Sequence, residues 1–376
     1  MSAAMLSANP IVLATGGTGG HVFPAEALAG ELARRGHSLA LITDARGKRW
    51  KGALGQHPVH YIRAASPSGG LLGKLSGALR LGLGFFDARA VLRRLHPAVV
   101  VGFGGYASVP TVMAAATGGV PTVIHEQNAV LGRANRMLVG RARRIATSFA
   151  RVRYLADDGR AVLTGNPVRD DIRALGANAY EAPRSDGEFR LLITGGSQGT
   201  RAFADIVPAA VETLPAELRS RLRVEQQCRS EDLERVRAAY ARLGVAADTA
   251  DFFADIPARL AGAHLVVARA GASTVAELTA SGRPSILVPY PHATDDHQTA
   301  NARALDEVGA SILLPTAQFT AAALARHLQA LMGDAPRLAA MAQAARSQAR
   351  LDAAQRLADA VEAVIAPAGQ ARGEAA

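Results

Sequence analysis

The stretch Arg269-Ala-Gly-Ala-Ser-Thr-Val-Ala-Glu277 has the residue types of a phosphate grip. It follows the apolar run Leu265-Val-Val-Ala268 and opens a helical pattern that stops at Gly282. A strand turning through small residues into a helix leaves backbone N–H groups without carbonyl partners, at the positive end of the helix dipole. Ser273 and Thr274 add hydroxyls, Arg269 adds a cation, and Glu277 is placed to accept hydrogen bonds from a ribose carried on that phosphate. A plain capped turn with Glu277 in water is the competing reading of this segment taken alone.

A second reactive group is His21, at the mouth of the loop Thr15-Gly-Gly-Thr-Gly-Gly-His21. An imidazole with an ordinary pKa of about 6.5 suits a general base, although a lone loop histidine is more often structural. The glycines allow a ligand close to the backbone, but their spacing is not G-x-G-x-x-G. His125-Glu-Gln-Asn128 stands just beyond the strand-like Pro121-Thr-Val-Ile124, where open α/β sheets bind ligands. Thr164-Gly-Asn-Pro-Val-Arg169 reads as a crossing between domains, with Arg169 able to reach a ligand. Asp295-Asp296-His297 invites a metal, but adjacent carboxylates on a turn point different ways and no Asp-x-Asp triplet occurs. Hydrogen bonding to a polar substrate is the favoured role there, with no metal expected.

These groups need a scaffold, and the chain repeats one device to supply it. Ile11–Ala14 runs through the first Gly turn into a helix expected over Ala25–Arg35, ended by Gly36 and followed by a strand over Leu39–Thr43. Val99-Val-Val101 enters Gly102-Phe-Gly-Gly-Tyr-Ala-Ser108, and Arg190-Leu-Leu-Ile-Thr194 enters Gly195-Gly-Ser-Gln-Gly199. Strand, glycine turn and helix in alternation predict doubly wound parallel α/β sheets. With 376 residues the chain holds two domains, expected over 1–165 and 166–345, with 346–376 as a terminal helix and tail.

Composition narrows the setting. Cys228 is the single cysteine, which excludes an intrachain disulfide and fits a reducing compartment. Met1–Pro10 has neither a basic start nor a long apolar core, so no signal peptide is expected. Ala98–Ile124 lacks formal charge, but its glycines and prolines break it into strand, turn and helix rather than a membrane span. The net charge of +10 is one-sided: residues 1–165 carry 20 Lys and Arg against 7 Asp and Glu, the remainder 22 against 25. A cationic half points to an anionic partner. The segment Leu71–Arg94 sets Leu71, Leu72, Leu75, Leu79, Phe85 and Phe86 among Lys74, Arg80, Arg89, Arg93 and Arg94, a pattern suited to a lipid headgroup layer or to a helix packed on a sheet. Aromatics at 5% and no stacking motif argue against nucleic acid. The missing dinucleotide fingerprint argues against a nicotinamide oxidoreductase.

Six motifs together resemble one family. Gly16-Gly-Thr-Gly-Gly-His-Val-Phe-Pro24, His125–Asn128, Gly165-Asn-Pro-Val-Arg169, Gly195–Gly199, Arg269–Glu277 and Asp296-His-Gln298 with Asn301 stand in its order. The family is that of MurG, the UDP-N-acetylglucosamine:undecaprenyl-pyrophosphoryl-muramoyl-pentapeptide transferases of peptidoglycan synthesis. The resemblance implies a GT-B fold, two Rossmann-like domains facing across a cleft, with the terminal helix returning to the first. It implies UDP-N-acetylglucosamine as donor, lipid I as acceptor, inversion to a β-1,4 bond, and no metal or other cofactor. Carried onto these positions, His21 is the base, and Thr18, Gly19 and Gly20 face donor sugar and acceptor. Asn128 and Arg169 line the cleft. Ser197, with Gln198 beside it, Thr274, and the backbone at Ala272 and Ser273 hold the diphosphate, with Arg269 nearby. Glu277 holds the ribose, Gln298 reads sugar hydroxyls, and Phe253 meets uracil through its backbone. The resemblance also implies a peripheral place on the cytoplasmic face of the inner membrane, with cell-wall synthesis and division proteins as neighbours. Another GT-B enzyme on a UDP-sugar, with a different acceptor or as an epimerase, is the alternative.

Overall fold

Short strands that are apolar along their whole length form parallel sheets covered on both faces, and this chain makes two of them. The computed structural model describes residues 9–16, 19–45, 47, 53–65, 70–196 and 199–365. The chain divides into two units, one running to Val168 and resuming at Asp352, the other spanning Arg169–Leu351.

The first unit contains β1 (Ile11–Ala14), α1 (Gly19–Arg34), β2 (Leu39–Thr43), β3 (Val59–Tyr61), α2 (Leu71–Leu95), β4 (Val99–Gly102), α3 (Ser108–Thr117), β5 (Thr122–Glu126), α4 (Arg133–Leu138), β6 (Arg144–Thr147) and β7 (Ala161–Leu163). Its sheet runs β3-β2-β1-β4-β5-β6-β7, every pair parallel. Alternate residues of β1 feed opposite cores: Ile11 and Leu13 pack with Leu28 and Leu32 of α1, Val12 and Ala14 with Val109 and Val112 of α3.

The second unit begins with α5 (Asp170–Ala174) and β8 (Phe189–Thr194), then α6 (Arg201–Glu212), α7 (Ala216–Ser220), β9 (Leu222–Gln227), α8 (Leu233–Arg242) and β10 (Ala246–Ala250). It continues through α9 (Ile256–Gly262), β11 (Leu265–Ala268), α10 (Ala272–Ser281), β12 (Ser285–Leu287), α11 (His297–Asp306), β13 (Ser311–Leu313), α12 (Ala321–Met332) and α13 (Ala335–Ser347). Its sheet runs β10-β9-β8-β11-β12-β13, again parallel. The last helix, α14 (Ala353–Ile365), belongs to the first unit. Leu357, Val361 and Val364 enter its core, and Glu362 takes hydrogen bonds from Arg35 and His37 at 2.7 Å each.

One boundary differs from the sequence expectation. The sequence reading opens the first helix at Ala25, yet α1 begins at Gly19 and runs through Pro24. As the sixth residue of the helix, Pro24 lies past the first-turn amides and costs a single intrahelical bond, the one its missing N–H would make to the Gly20 carbonyl. His21 therefore stands on the first turn of a helix, not on a loop.

Close packing of α2 on the sheet edge gives a direct test. A Cβ added at Gly84 would fall on the Arg63 carbonyl and lie 3.3 Å from Pro110 Cγ. Overpacking against backbone typically costs about 1–3 kcal/mol. Gly84→Ala should lower the denaturant midpoint accordingly, whereas Gly82→Ala, where nothing lies within 4 Å, should not.

Candidate functional site

In the first unit the polar groups collect where β1, β4 and β5, three adjacent strands, end. The turn after β4 passes through Gly104 and Gly105 with φ of +81° and +71°, a left-handed backbone that favours glycine. The His21 ring lies on this turn: a Cβ at Gly104 would sit 3.4 Å from its Cε1, and one at Gly105 3.3 Å from its Cδ2. Thr15 Oγ1 donates to the His21 carbonyl at 3.1 Å and holds the helix start to the strand.

His21 Nδ1 lies 3.1 Å from Gln127 Oε1. The Gln127 amide nitrogen donates to the Phe103 carbonyl at 3.0 Å and to His125 Nδ1 at 3.0 Å. His125 Nε2 donates in turn to the Gly165 carbonyl at 3.1 Å. Burial pushes the His125 pKa down to about 4, so that ring is neutral at ordinary pH. Next to it, the buried Glu126 carboxylate accepts from the backbone of Asn128 (3.0 Å) and Gly132 (2.8 Å) and from Asn135 Nδ2 (2.8 Å). Asn128 also turns its own amide nitrogen to Glu126, at 3.3 Å. Gly19 and Gly20 open α1 beside this cluster, and Thr18 lies outside the described residues.

The second unit builds its cluster the same way, at the ends of β8, β11 and β12. Gly271 is the N-cap of α10, and the first intrahelical bond is from Val275 N to the Gly271 carbonyl, at 2.9 Å. The amides of Ala272, Ser273 and Thr274 thus open the helix without intrahelical acceptors. Ser273 Oγ is buried and has no hydrogen-bond partner among the described residues. Asn301 of α11 braces the turn by donating to the Ala270 carbonyl at 3.0 Å. Burial pushes the Glu277 carboxyl up to about 7; the Arg169 charge opposes this rise and Asp171 adds to it. Gln298 Oε1 accepts from the backbone of Tyr290 at 2.9 Å.

One expectation changes here. Arg269, read from the sequence as a cation beside the phosphate, is only 7% exposed. Its guanidinium donates to the carbonyls of Val288 (3.1 Å) and Pro289 (2.8 Å) and to Thr200 Oγ1 (3.1 Å). A guanidinium this buried must satisfy its donors inward, so Arg269 ties three turns together. Phe253 is also buried, with the Arg259 guanidinium 3.8 Å from its ring centroid, so only its backbone remains for a base. Phe252 is the exposed aromatic of that pair. Ser197 and Gln198 lie outside the described residues. Asp296 stands at the N-cap position of α11 without a side-chain bond to the helix amides, its carboxylate accepts from Thr299 Oγ1 at 2.7 Å, and both Asp295 and Asp296 have positive φ.

Sequence reasoning missed the interior members of the first cluster: Gln127, Glu126 and Asn135 as holders, Gly104 and Gly105 as floor. Their signal was position: Glu126 ends β5, Gln127 follows it, and Gly104 and Gly105 lie in the turn after the neighbouring strand β4.

The glycosyltransferase family 28 N-terminal domain matches residues 11–147, and the family 28 C-terminal domain matches 190–357. A Rhodospirillum centenum protein is 58% identical over 95% of this chain and 94% of its own length. It is named UDP-N-acetylglucosamine--N-acetylmuramyl-(pentapeptide) pyrophosphoryl-undecaprenol N-acetylglucosamine transferase. A Brucella suis protein of the same name is 49% identical over 94% of each chain. Among solved structures, Acinetobacter baumannii MurG has a TM-score of 0.76 and 28% identity, over 94% of this chain and 99% of that one. A UDP-GlcNAc 2-epimerase from Neisseria meningitidis, with a TM-score of 0.65 at 12% identity over 94% of this chain and all of its own, shares the fold alone.

The raised Glu277 pKa has a consequence for stability. A carboxyl that holds its proton more tightly when folded contributes stability that is fully present below its unfolded pKa of about 4.5 and is lost as pH rises through about 7. Glu277→Gln stays neutral, so its melting temperature should gain on the wild type steadily from pH 5 to pH 8. A difference independent of pH would contradict the assignment.

Proposed function

The chain belongs to glycosyltransferase family 28 and is an enzyme that moves N-acetylglucosamine from its UDP donor onto the lipid-linked N-acetylmuramyl-pentapeptide acceptor, and we propose how its residues do so. The acceptor's C4 hydroxyl gives its proton to Nε2 of His21 as its oxygen attacks the anomeric carbon. The bond from that carbon to the UDP oxygen breaks on the opposite face, so the α-linked donor yields a β-1,4 product with inversion. Charge develops on the departing diphosphate. The amides of Ala272, Ser273 and Thr274 meet it at the positive end of α10, with the Thr274 hydroxyl, and the family resemblance adds Ser197 and Gln198 as further donors. Glu277, ionised in the complex, accepts from the ribose hydroxyls, and Gln298 reads the sugar. The backbone of Phe253 meets the uracil. Asn128 and Arg169, with Thr18, Gly19 and Gly20, position donor sugar and acceptor. No metal or other cofactor is required in this reading, because helix amides neutralise the leaving group.

One observation carries the donor half: a buried Ser273 hydroxyl with no partner among the described residues, beside three first-turn amides. A buried hydroxyl beside amides that lack intrahelical acceptors offers an anion one donor more. For the acceptor half, the support is His21 seated at the strand ends with its Nδ1 turned to Gln127.

The acceptor is a lipid, and we propose that α2 brings the enzyme to it. Leu75, Leu79 and Phe86 are 68%, 64% and 67% exposed and fall on one stripe of the helix, which Arg89 and Arg93 share by helical spacing. Exposed apolar side chains flanked by arginine suit an anionic headgroup layer. The side chains of Leu71, Leu72 and Lys74 lie outside those described. No helix among the described residues is long and apolar enough to cross a membrane. The reading places the protein peripherally on the cytoplasmic face of the membrane, within reach of cell-wall synthesis and division proteins.

Purified protein with radiolabelled UDP-sugars and a short-chain lipid I analogue should transfer N-acetylglucosamine but not its galacto epimer, with or without EDTA. His21→Ala should cut turnover about a hundredfold at saturating donor; near-normal turnover would remove His21 as the base. Replacing Leu75, Leu79 and Phe86 together by serine should lower partition onto vesicles of anionic phospholipid about tenfold or more. Turnover of the soluble analogue should hold, and unchanged partition would refute the α2 contact.

A further inference from the structure

We propose that Gln127 is a positioning residue that fixes His21 in its Nδ1-protonated tautomer, so that Nε2 is the nitrogen left to take the acceptor's proton. The inference rests on the reading of His21 as the base and deepens it.

A backbone carbonyl only accepts, so the hydrogen bond between the Gly165 carbonyl and His125 Nε2, at 3.1 Å, puts the proton of His125 on Nε2. The ring is wholly buried and neutral, so its Nδ1 is an acceptor and requires a donor. That donor is the Gln127 amide nitrogen at 3.0 Å. The same nitrogen serves the carbonyls of Phe103 (3.0 Å) and His125 (3.2 Å). Turning the amide over would place its oxygen against two carbonyl oxygens and a ring lone pair, so its orientation is fixed. Gln127 Oε1 is thereby presented to His21 Nδ1 at 3.1 Å, and only a protonated Nδ1 can meet it.

Free imidazole offers both tautomers, and an enzyme needing one must hold it there. Carboxylates often do this work beside catalytic histidines, and they also raise the pKa of the ring. A neutral amide fixes the tautomer without that electrostatic pull. The nearest carboxylate, that of Glu126, is occupied by the amides of Asn128, Gly132 and Asn135. The other titratable ring against the cluster is His125, which is neutral. Gln127 is itself 2% exposed, with no room to rotate away.

The test is ¹⁵N NMR of histidine-labelled protein, with the His21 signals assigned by comparison with His21→Asn. Above its titration, wild-type His21 should show a protonated Nδ1 and a bare Nε2; the opposite pattern overturns the proposal even if no variant folds. In Gln127→Leu, the Nε2-protonated form should become the majority, with kcat down about tenfold or more and both KM values within about twofold of wild type. In Gln127→Glu the second carboxyl oxygen takes the place of the amide nitrogen against the carbonyls of Phe103 and His125, so the acid must be protonated there, and its other oxygen should keep His21 in the Nδ1-protonated tautomer. Being neutral, it should leave the acidic limb of the kcat/KM profile where the wild type has it. A Leu variant that retains both tautomer and kcat refutes the role of Gln127. Full activity in His21→Ala instead sinks the base assignment, while the wild-type tautomer is read independently of turnover.

Discussion

Parallel strands deliver their carboxyl ends to one edge of a sheet, and the loops leaving that edge must be held together there. Both units meet this constraint with the same construction. In the first, the loops leaving β1, β4 and β5 carry His21, the Gly104–Gly105 floor and the His125–Asn128 segment. In the second, the loops leaving β8, β11 and β12 carry the Gly195–Gly199 turn, the start of α10 and the Val288–Tyr290 segment. Each trio is tied by one buried polar side chain, Gln127 in the first unit and Arg269 in the second.

These ties are interior groups whose own hydrogen-bond needs dictate where neighbouring loops stand. Truncating either would strand several buried acceptors, at about 1–3 kcal/mol for each group left unsatisfied. The ligand-facing groups are the opposite case. Ser273 Oγ is unsatisfied among the described residues, and the Glu277 carboxyl is held in surroundings that disfavour its charge. In the proposed reading, a bound nucleotide supplies hydrogen bonds to both groups. Stability is thus withheld where the ligand supplies the missing partners, and concentrated just behind.

Much of this was legible in the sequence. Uniformly apolar runs such as Val99-Val-Val101 and Leu265-Val-Val-Ala268 leave little choice but buried parallel strands, and the glycine turns after them mark ligand edges. The α10 site was readable because every part of it lies within nine consecutive residues. What escaped was whatever depends on strand order. Nothing local to Gln127 says that its amide lies between rings from positions 21 and 125, because that meeting is created by β1, β4 and β5 being neighbours. Arg269 failed differently: a cation in a phosphate-type turn reads as a ligand contact. Only the carbonyls at 288 and 289, nearly twenty residues on, show that the guanidinium turns inward. The start of α1 lies ahead of the expected Ala25 because two glycines and a proline, poor helix formers all, stand within its first six residues.

The claim on which the rest stands is that amides opening α10 receive the diphosphate. Backbone hydrogen exchange, followed residue by residue with and without UDP, addresses it at the atoms concerned. The account predicts slowed exchange at Ala272, Ser273 and Thr274 when UDP is added, with the middle of α13 unchanged. Slowing confined to the glycine turn ahead of His21, with those three amides exchanging as before, would contradict it.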